Sequence, residues 1–192
     1  NVFTGTKGAQ GLKEIAQTPF YTRIPTLVKL NAEMRSQKLI KHAREGMKLS
    51  HYVYVIIFSM VGFFTPILFD LIGSNVQFVD NTTWIVFGIG FFFERFGAMH
   101  IQLYSITNKI VWHIANGISG LLYLISSILL YSFIGILAYP IGMLIGYVCF
   151  YSWYAAIHSY KEFEIDIIKF EYESSLVPFI IILVTSIILF FK

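Results

Sequence analysis

Five long apolar runs, each closed off by polar or turn residues, account for most of this chain: roughly 50–72, 83–106, 110–132, 136–158 and 175–191. A hydrocarbon core of about 30 Å needs about 20 helical residues, so each run reads as a membrane span. Gly73-Ser74-Asn75 and the polar Asp80 to Thr83 part the first two, and Asn108-Lys109 parts the second from the third. The connection near Phe133-Ile134-Gly135 is so short that the third and fourth spans must be antiparallel neighbours. Lys161 to Ser175 reads as a charged, amphipathic linker before the last span.

Residues 3–30 follow a different rule. Leu12, Ile15, Ala16, Phe20, Ile24, Leu27 and Val28 recur at helical spacing, and Lys7, Gln10, Glu14, Gln17 and Tyr21 make a second, polar stripe. A helix of roughly 27 residues would reach ~40 Å, enough to cross with its polar stripe turned towards protein or water. Lying flat in the interface is the alternative. Pro19 and Pro25 kink or break such a helix, which lipid exposure alone would not require, and this favours a crossing helix that lines a hydrated cavity. The expectation is therefore an all-α integral membrane bundle of about six spans in one domain over 1–192. The basic stretch 35–48 continues as a surface helix, with Leu39, Ile40, Ala43 and Met47 available to face the membrane.

Composition agrees that lipid is the solvent: 56% of residues are hydrophobic and only 13% charged, about half the charged share of a soluble domain. The net charge of +3 matters less than its placement. Arg35, Lys38, Lys41, Arg44 and Lys48 crowd one loop, which should be cytoplasmic, and alternation then leaves the outer loops without Lys or Arg. The lone Cys149, in an apolar segment, excludes an intrachain disulfide and reads as core-filling or lipid-facing. The chain begins with Asn rather than Met and has no cleavable signal, so a piece of a longer parent is expected.

The most informative residues are Glu94 and Arg95, near the middle of a span. A charge at that depth costs roughly 2.5–3.5 kcal/mol on insertion scales, and such groups usually face a partner helix or a water-filled cavity. A structural ion pair is the bland account. A polar pathway is favoured because His100, Gln102 and Asn108 follow on the same helix. With Lys7, Lys13, Glu14 and Arg23 on the amphipathic helix, the charges of this span would make a mildly cationic cavity for a large polar ligand carrying negative charge.

Bond-breaking chemistry is absent from the pattern. His42, His51, His100, His113 and His158 contain no i,i+3 or i,i+4 pair, the usual device for placing two metal ligands on one helix face. His51 and His158 read as interfacial anchors; His100 and His113 could approach each other across the Asn108-Lys109 turn. No nucleophile elbow, paired cysteines or phosphate-cradling glycine loop is present. Gly142 and Gly146 read as close helix packing. Trp84, Tyr151, Trp153, Tyr154 and Tyr160 suit interfacial belts. No metal, cofactor or nucleic acid is expected.

The run Pro19-Phe20-Tyr21-Thr22-Arg23-Ile24-Pro25, the basic loop and the Gly46-Met47-Lys48-Leu49-Ser50 entry to a span resemble the C-terminal half of polysaccharide-biosynthesis membrane transporters. Glu94 to Tyr104, followed by Thr107-Asn108, resembles the span two helices later in the same proteins. These are the O-antigen and related lipid-linked oligosaccharide flippases of the multidrug/oligosaccharidyl-lipid/polysaccharide exporter superfamily, and the likeness spans most of residues 5–160.

The resemblance implies one lobe of a two-lobed, alternating-access transporter that is not an enzyme, with the N-terminal lobe missing here. Its cargo would be a polyprenyl-diphosphate-linked oligosaccharide, flipped across the bacterial inner membrane by a multi-pass protein in contact with membrane lipids. The family's cationic cavity would map onto Lys13, Arg23 and Arg95, with Gln17, Tyr21 and Gln102 hydrogen-bonding glycan, and Glu94 and His100 beside them. A membrane enzyme using Glu94 and His100 as acid and base, and a non-catalytic assembly subunit, are the alternatives. The acidic linker with Glu162, Glu164, Asp166, Glu171 and Glu173 departs from the family pattern and leaves the pairing of the last span open.

Overall fold

The computed structural model describes residue 11, residues 14–73 and residues 78–191, and every regular element among them is helical. Residues 14–21 form α1; then come α2 (Ile24–Ala32), α3 (Ser36–Leu71), α4 (Asn81–Ser105), α5 (Trp112–Ile134), α6 (Ala138–Gly146), α7 (Ser152–Phe163), α8 (Ile167–Glu171) and α9 (Val177–Phe190). Wide π-type turns at Tyr147–Tyr151 and Tyr172–Leu176 run α6 into α7 and α8 into α9. Ser36–Leu71, Asn81–Ser105, Trp112–Phe163 and Ile167–Phe190 are each long and apolar enough to cross a membrane. The third of these is 52 residues long, far more than one crossing needs. It doubles back at Gly135, whose φ of 57° is one that residues with a side chain rarely adopt.

The hairpin is held by close backbone approach. A Cβ on Gly142 would lie 2.2 Å from the Ser127 hydroxyl and 2.9 Å from the Tyr123 carbonyl, and one on Gly146 would lie 2.6 Å from the Ser119 carbonyl. The two glycines therefore pack α6 on α5, as their spacing indicates. The opposite face of α5 is exposed, with Ile128 at 74% and Leu129 at 65%. It is an apolar face that matches hydrocarbon.

α4 runs through the middle of the bundle. Asp80 caps it by accepting from the Thr83 amide at 2.8 Å. Trp84 stacks on Phe58 of α3 at 5.2 Å, and the Tyr54 hydroxyl donates to the Gly88 carbonyl at 2.9 Å. On its other side Gly97 lets α7 approach; a Cβ there would meet the Tyr151 ring at 2.6 Å. Ser152 seals that contact by donating to the Phe93 carbonyl at 2.8 Å.

Three expectations are corrected. The basic stretch 35–48 is not a separate surface helix but the start of α3, and Leu39, Ala43 and Met47 are buried against Leu103, Phe163 and Phe170 rather than turned to lipid. At 36 residues α3 is ~54 Å long, so its basic end overshoots a ~30 Å hydrocarbon core. The linker Lys161 to Ser175 is mostly helical and breaks only at Glu164–Asp166. Glu164 adopts left-handed φ, and the Asp166 side chain caps α8 from the Lys169 amide at 3.1 Å. The last helical stretch thus begins at Ile167, not at 175. Finally, the belt residues Trp84, Tyr151 and Tyr160 are buried in protein.

Within the described part of 3–30, the helix is interrupted at Thr22-Arg23, just before Pro25. Proline cannot donate the hydrogen bond that would continue a helix through it, which sets the break. The described part of this region is not among the four span-length stretches.

Candidate functional site

The mid-span charges of α4 close on each other. Arg95 Nε donates to Glu94 Oε2 at 2.7 Å, and an Arg95 Nη to Glu94 Oε1 at 2.7 Å, a two-pronged match of planar guanidinium to planar carboxylate. The other Nη donates to Gln17 Oε1 of α1. The Arg95 and Glu94 side chains are 6% and 10% exposed. The expected opening of these charges onto a hydrated vestibule is therefore not what this geometry has. Removing two charges from water costs several kcal/mol per ion, and only such well-formed pairing offsets it.

Arg23 does not share this cluster's partners. It sits in the α1–α2 break, where its Nη1 reaches Glu45 at 3.2 Å and the His42 carbonyl at 3.3 Å. Its aliphatic stem lies on Gly46, where a Cβ would come within 2.9 Å of Arg23 Cδ. Tyr21 is half-buried, edge-on to Phe20, and Gln102 is half-buried on α4. Lys13 lies outside the described residues.

A second buried polar cluster lies one to two turns further along α4. His100 is fully buried; its Nδ1 is 2.6 Å from Ser159 Oγ of α7 and its Nε2 is 3.2 Å from Glu171 Oε1 of α8. The Ser159 hydroxyl gives its proton to the Ala156 carbonyl at 2.9 Å, so toward His100 it accepts, and Nδ1 is the donor. Glu171 Oε1 also accepts from the Tyr160 hydroxyl at 2.7 Å, and Oε2 from Ser174 at 3.2 Å and from Ser175. One carboxylate thus ties α4, α7 and the α8–α9 segment together.

His51 is not an interfacial anchor. It is buried on α3, stacked on Phe92 at 4.8 Å, and its Nδ1 donates to the Ser174 carbonyl at 3.4 Å. His158 is half-buried with Nδ1 on the Tyr154 carbonyl at 2.7 Å. His100 and His113 do not meet, because His113 is exposed on α5, edge-on to Trp112. Glu94 pairs with Arg95, and His100 with Ser159 and Glu171. Cys149 is exposed. Among the described residues no group of three His, Cys, Asp or Glu side chains could hold a metal ion.

Sequence reasoning missed Glu171, Tyr160, Ser159 and the buried role of His51. One local signal existed: Ser174 and Ser175 stand three and four residues after Glu171, the helical spacing that puts their hydroxyls on its face. Lys109, in the turn between α4 and α5, forms an exposed pair with Glu162 at the end of α7, at 2.6 Å. The hydrogen bond from Lys109 to Glu162, helped by that carboxylate's charge, raises the lysine above its ordinary range despite some desolvation. Comparison with protein-family models, with curated proteins and with solved structures finds no match to this chain.

Proposed function

We propose that this chain is a membrane-embedded lobe of a transporter that flips a polyprenyl-diphosphate-linked oligosaccharide across the bacterial inner membrane for surface polysaccharide biosynthesis. One observation carries the reading: an arginine at mid-span of α4, held on one side by its neighbour Glu94 and on another by an amide from a separate segment, Gln17 of α1. The second of these contacts is exchangeable. A ligand phosphate or acidic sugar offers the same guanidinium stronger, charge-assisted hydrogen bonds than a glutamine amide does. The break at Thr22-Arg23 supplies a hinge about which α1 could withdraw Gln17. The resemblance over residues 5–160 supports the same class of cargo.

In cells that depend on the full-length protein, Arg95→Glu should abolish surface glycan while the protein stays in the membrane. Normal glycan display by that variant would remove the reading.

The mutual closure of Glu94 and Arg95 also favours a second reading, a non-catalytic membrane assembly subunit in which the pair is a structural seam. Removing both charges of a buried pair together is often tolerated where removing one is not. The double variant Glu94→Gln/Arg95→Gln separates the two: the seam predicts retained glycan export, and the transport reading predicts its loss in a folded protein.

A further inference from the structure

Between α4, α7 and the α8–α9 segment lies an open cavity of about 450 Å³. Its apolar walls include Phe92, Phe93 and Phe96 of α4, Trp153 of α7 and Phe179 of α9. Polar side chains also border it: Tyr160, Glu171 and Ser175, which hydrogen-bond one another, and Tyr172. Tyr160 and Ser175 both donate to Glu171, whose carboxylate also takes Ser174 and faces His100. Toward the cavity these residues present mainly carbon.

We propose that this cavity binds one hydrocarbon chain of a bilayer phospholipid. Water there would find too few of the two to four polar partners it needs. An unfilled apolar hollow would forfeit the dispersion contacts of its aromatic walls. The mouth is bordered by Ile168 and Tyr172, 83% and 65% exposed, on a stretch long and apolar enough to cross a membrane. In a bilayer, such an exposed rim suits acyl chains better than water. A helix from another chain is a poor occupant, since a cylinder 10–12 Å across would fit only for roughly one turn in this volume. A flexible single chain is thin enough to enter past Ile168 and Tyr172. The size also falls within the range of roughly 300–1,000 Å³ common to ligand sites. This inference does not rest on the transport reading.

The test uses the full-length protein in nanodiscs of phosphatidylcholine carrying a photoreactive diazirine midway along one chain. After illumination and peptide mapping, labelling at residues 92–96 should exceed that on the open face of α5 around Leu121 and Leu129. Label confined to outward faces, with none at 92–96, overturns the proposal. Leu176→Trp, which fills the cavity from its wall, should remove label at 92–96 and leave the α5 label unchanged; undiminished label there in the folded variant also overturns it. Should that variant fail to fold, the unmodified protein with a small mole fraction of polyprenyl phosphate serves instead. Persistent phospholipid label supports the proposal, and its displacement reassigns the site to a prenyl chain and overturns it.

Discussion

Arg95 grips the residue immediately before it: its guanidinium meets both carboxylate oxygens of Glu94 at 2.7 Å, and both side chains are nearly sealed from the surface. Consecutive helical residues point about 100° apart and do not normally face each other, so the contact requires both long side chains to bend toward one another. That bend is what an environment without free water would enforce on two charges in one turn.

Breaking this pair from one side should be costly. Arg95→Gln takes the guanidinium from Glu94 and Glu94→Gln takes the carboxylate from Arg95; each should destabilise by about 3–5 kcal/mol, whereas the double substitution should cost clearly less than the sum. Thermal unfolding of the four proteins in one detergent checks this. Additive losses would mean that the charges do not act as a pair.

The α5–α6 hairpin should respond to a single methyl group. Gly142→Ala places its Cβ against the Tyr123 backbone carbonyl, which cannot rotate away, and should destabilise by about 1–3 kcal/mol. Gly117→Ala on the same hairpin meets nothing within 4 Å and should be neutral or stabilising by up to ~1 kcal/mol through helix propensity. Equal effects of the two substitutions on unfolding temperature would contradict the close approach.

Removing the carboxylate that ties three helices should loosen one segment selectively. Glu171→Ala strips the acceptor from Tyr160 and Ser174, while Ser175 keeps the residue-171 carbonyl at 3.3 Å, and each buried donor left without a partner costs roughly 1–3 kcal/mol. Hydrogen exchange should accelerate across residues 164–176 more than across α5. Uniform acceleration of the whole chain would argue against a local tie.

The Lys109–Glu162 pair gives a pH dependence with a definite sign. Lys109 is raised in the folded protein, so the contribution of its charge is fully present below the unfolded lysine pKa and is lost as pH climbs through the higher folded value. The stability difference between the parent and Lys109→Met should therefore disappear on the alkaline side of the lysine range. Because the pair is exposed, it should also shrink in high salt. Melting temperatures across pH and ionic strength decide it.

By itself the sequence determined the helical class, the apolar stretches 83–106, 110–132 and 136–158 to within about five residues, the tight return at Gly135 and the close packing at Gly142 and Gly146. Those follow from local physics: hydropathy over a bilayer's thickness, glycine's backbone freedom and the 3.6-residue period. It also marked Glu94 and Arg95 as out of place. What they touch was decided by tertiary structure, because Gln17 is 78 residues away from Arg95 in sequence. The same holds for His51 and Ser174, 123 residues apart, and for His100, whose partners stand on α7 and α8. Periodicity says which residues share a face of a helix, but not which neighbour that face meets. Leu39 and Met47 show the consequence: an apolar stripe beside a membrane could face lipid or protein, and only the arrival of Leu103, Phe163 and Phe170 turned it inward.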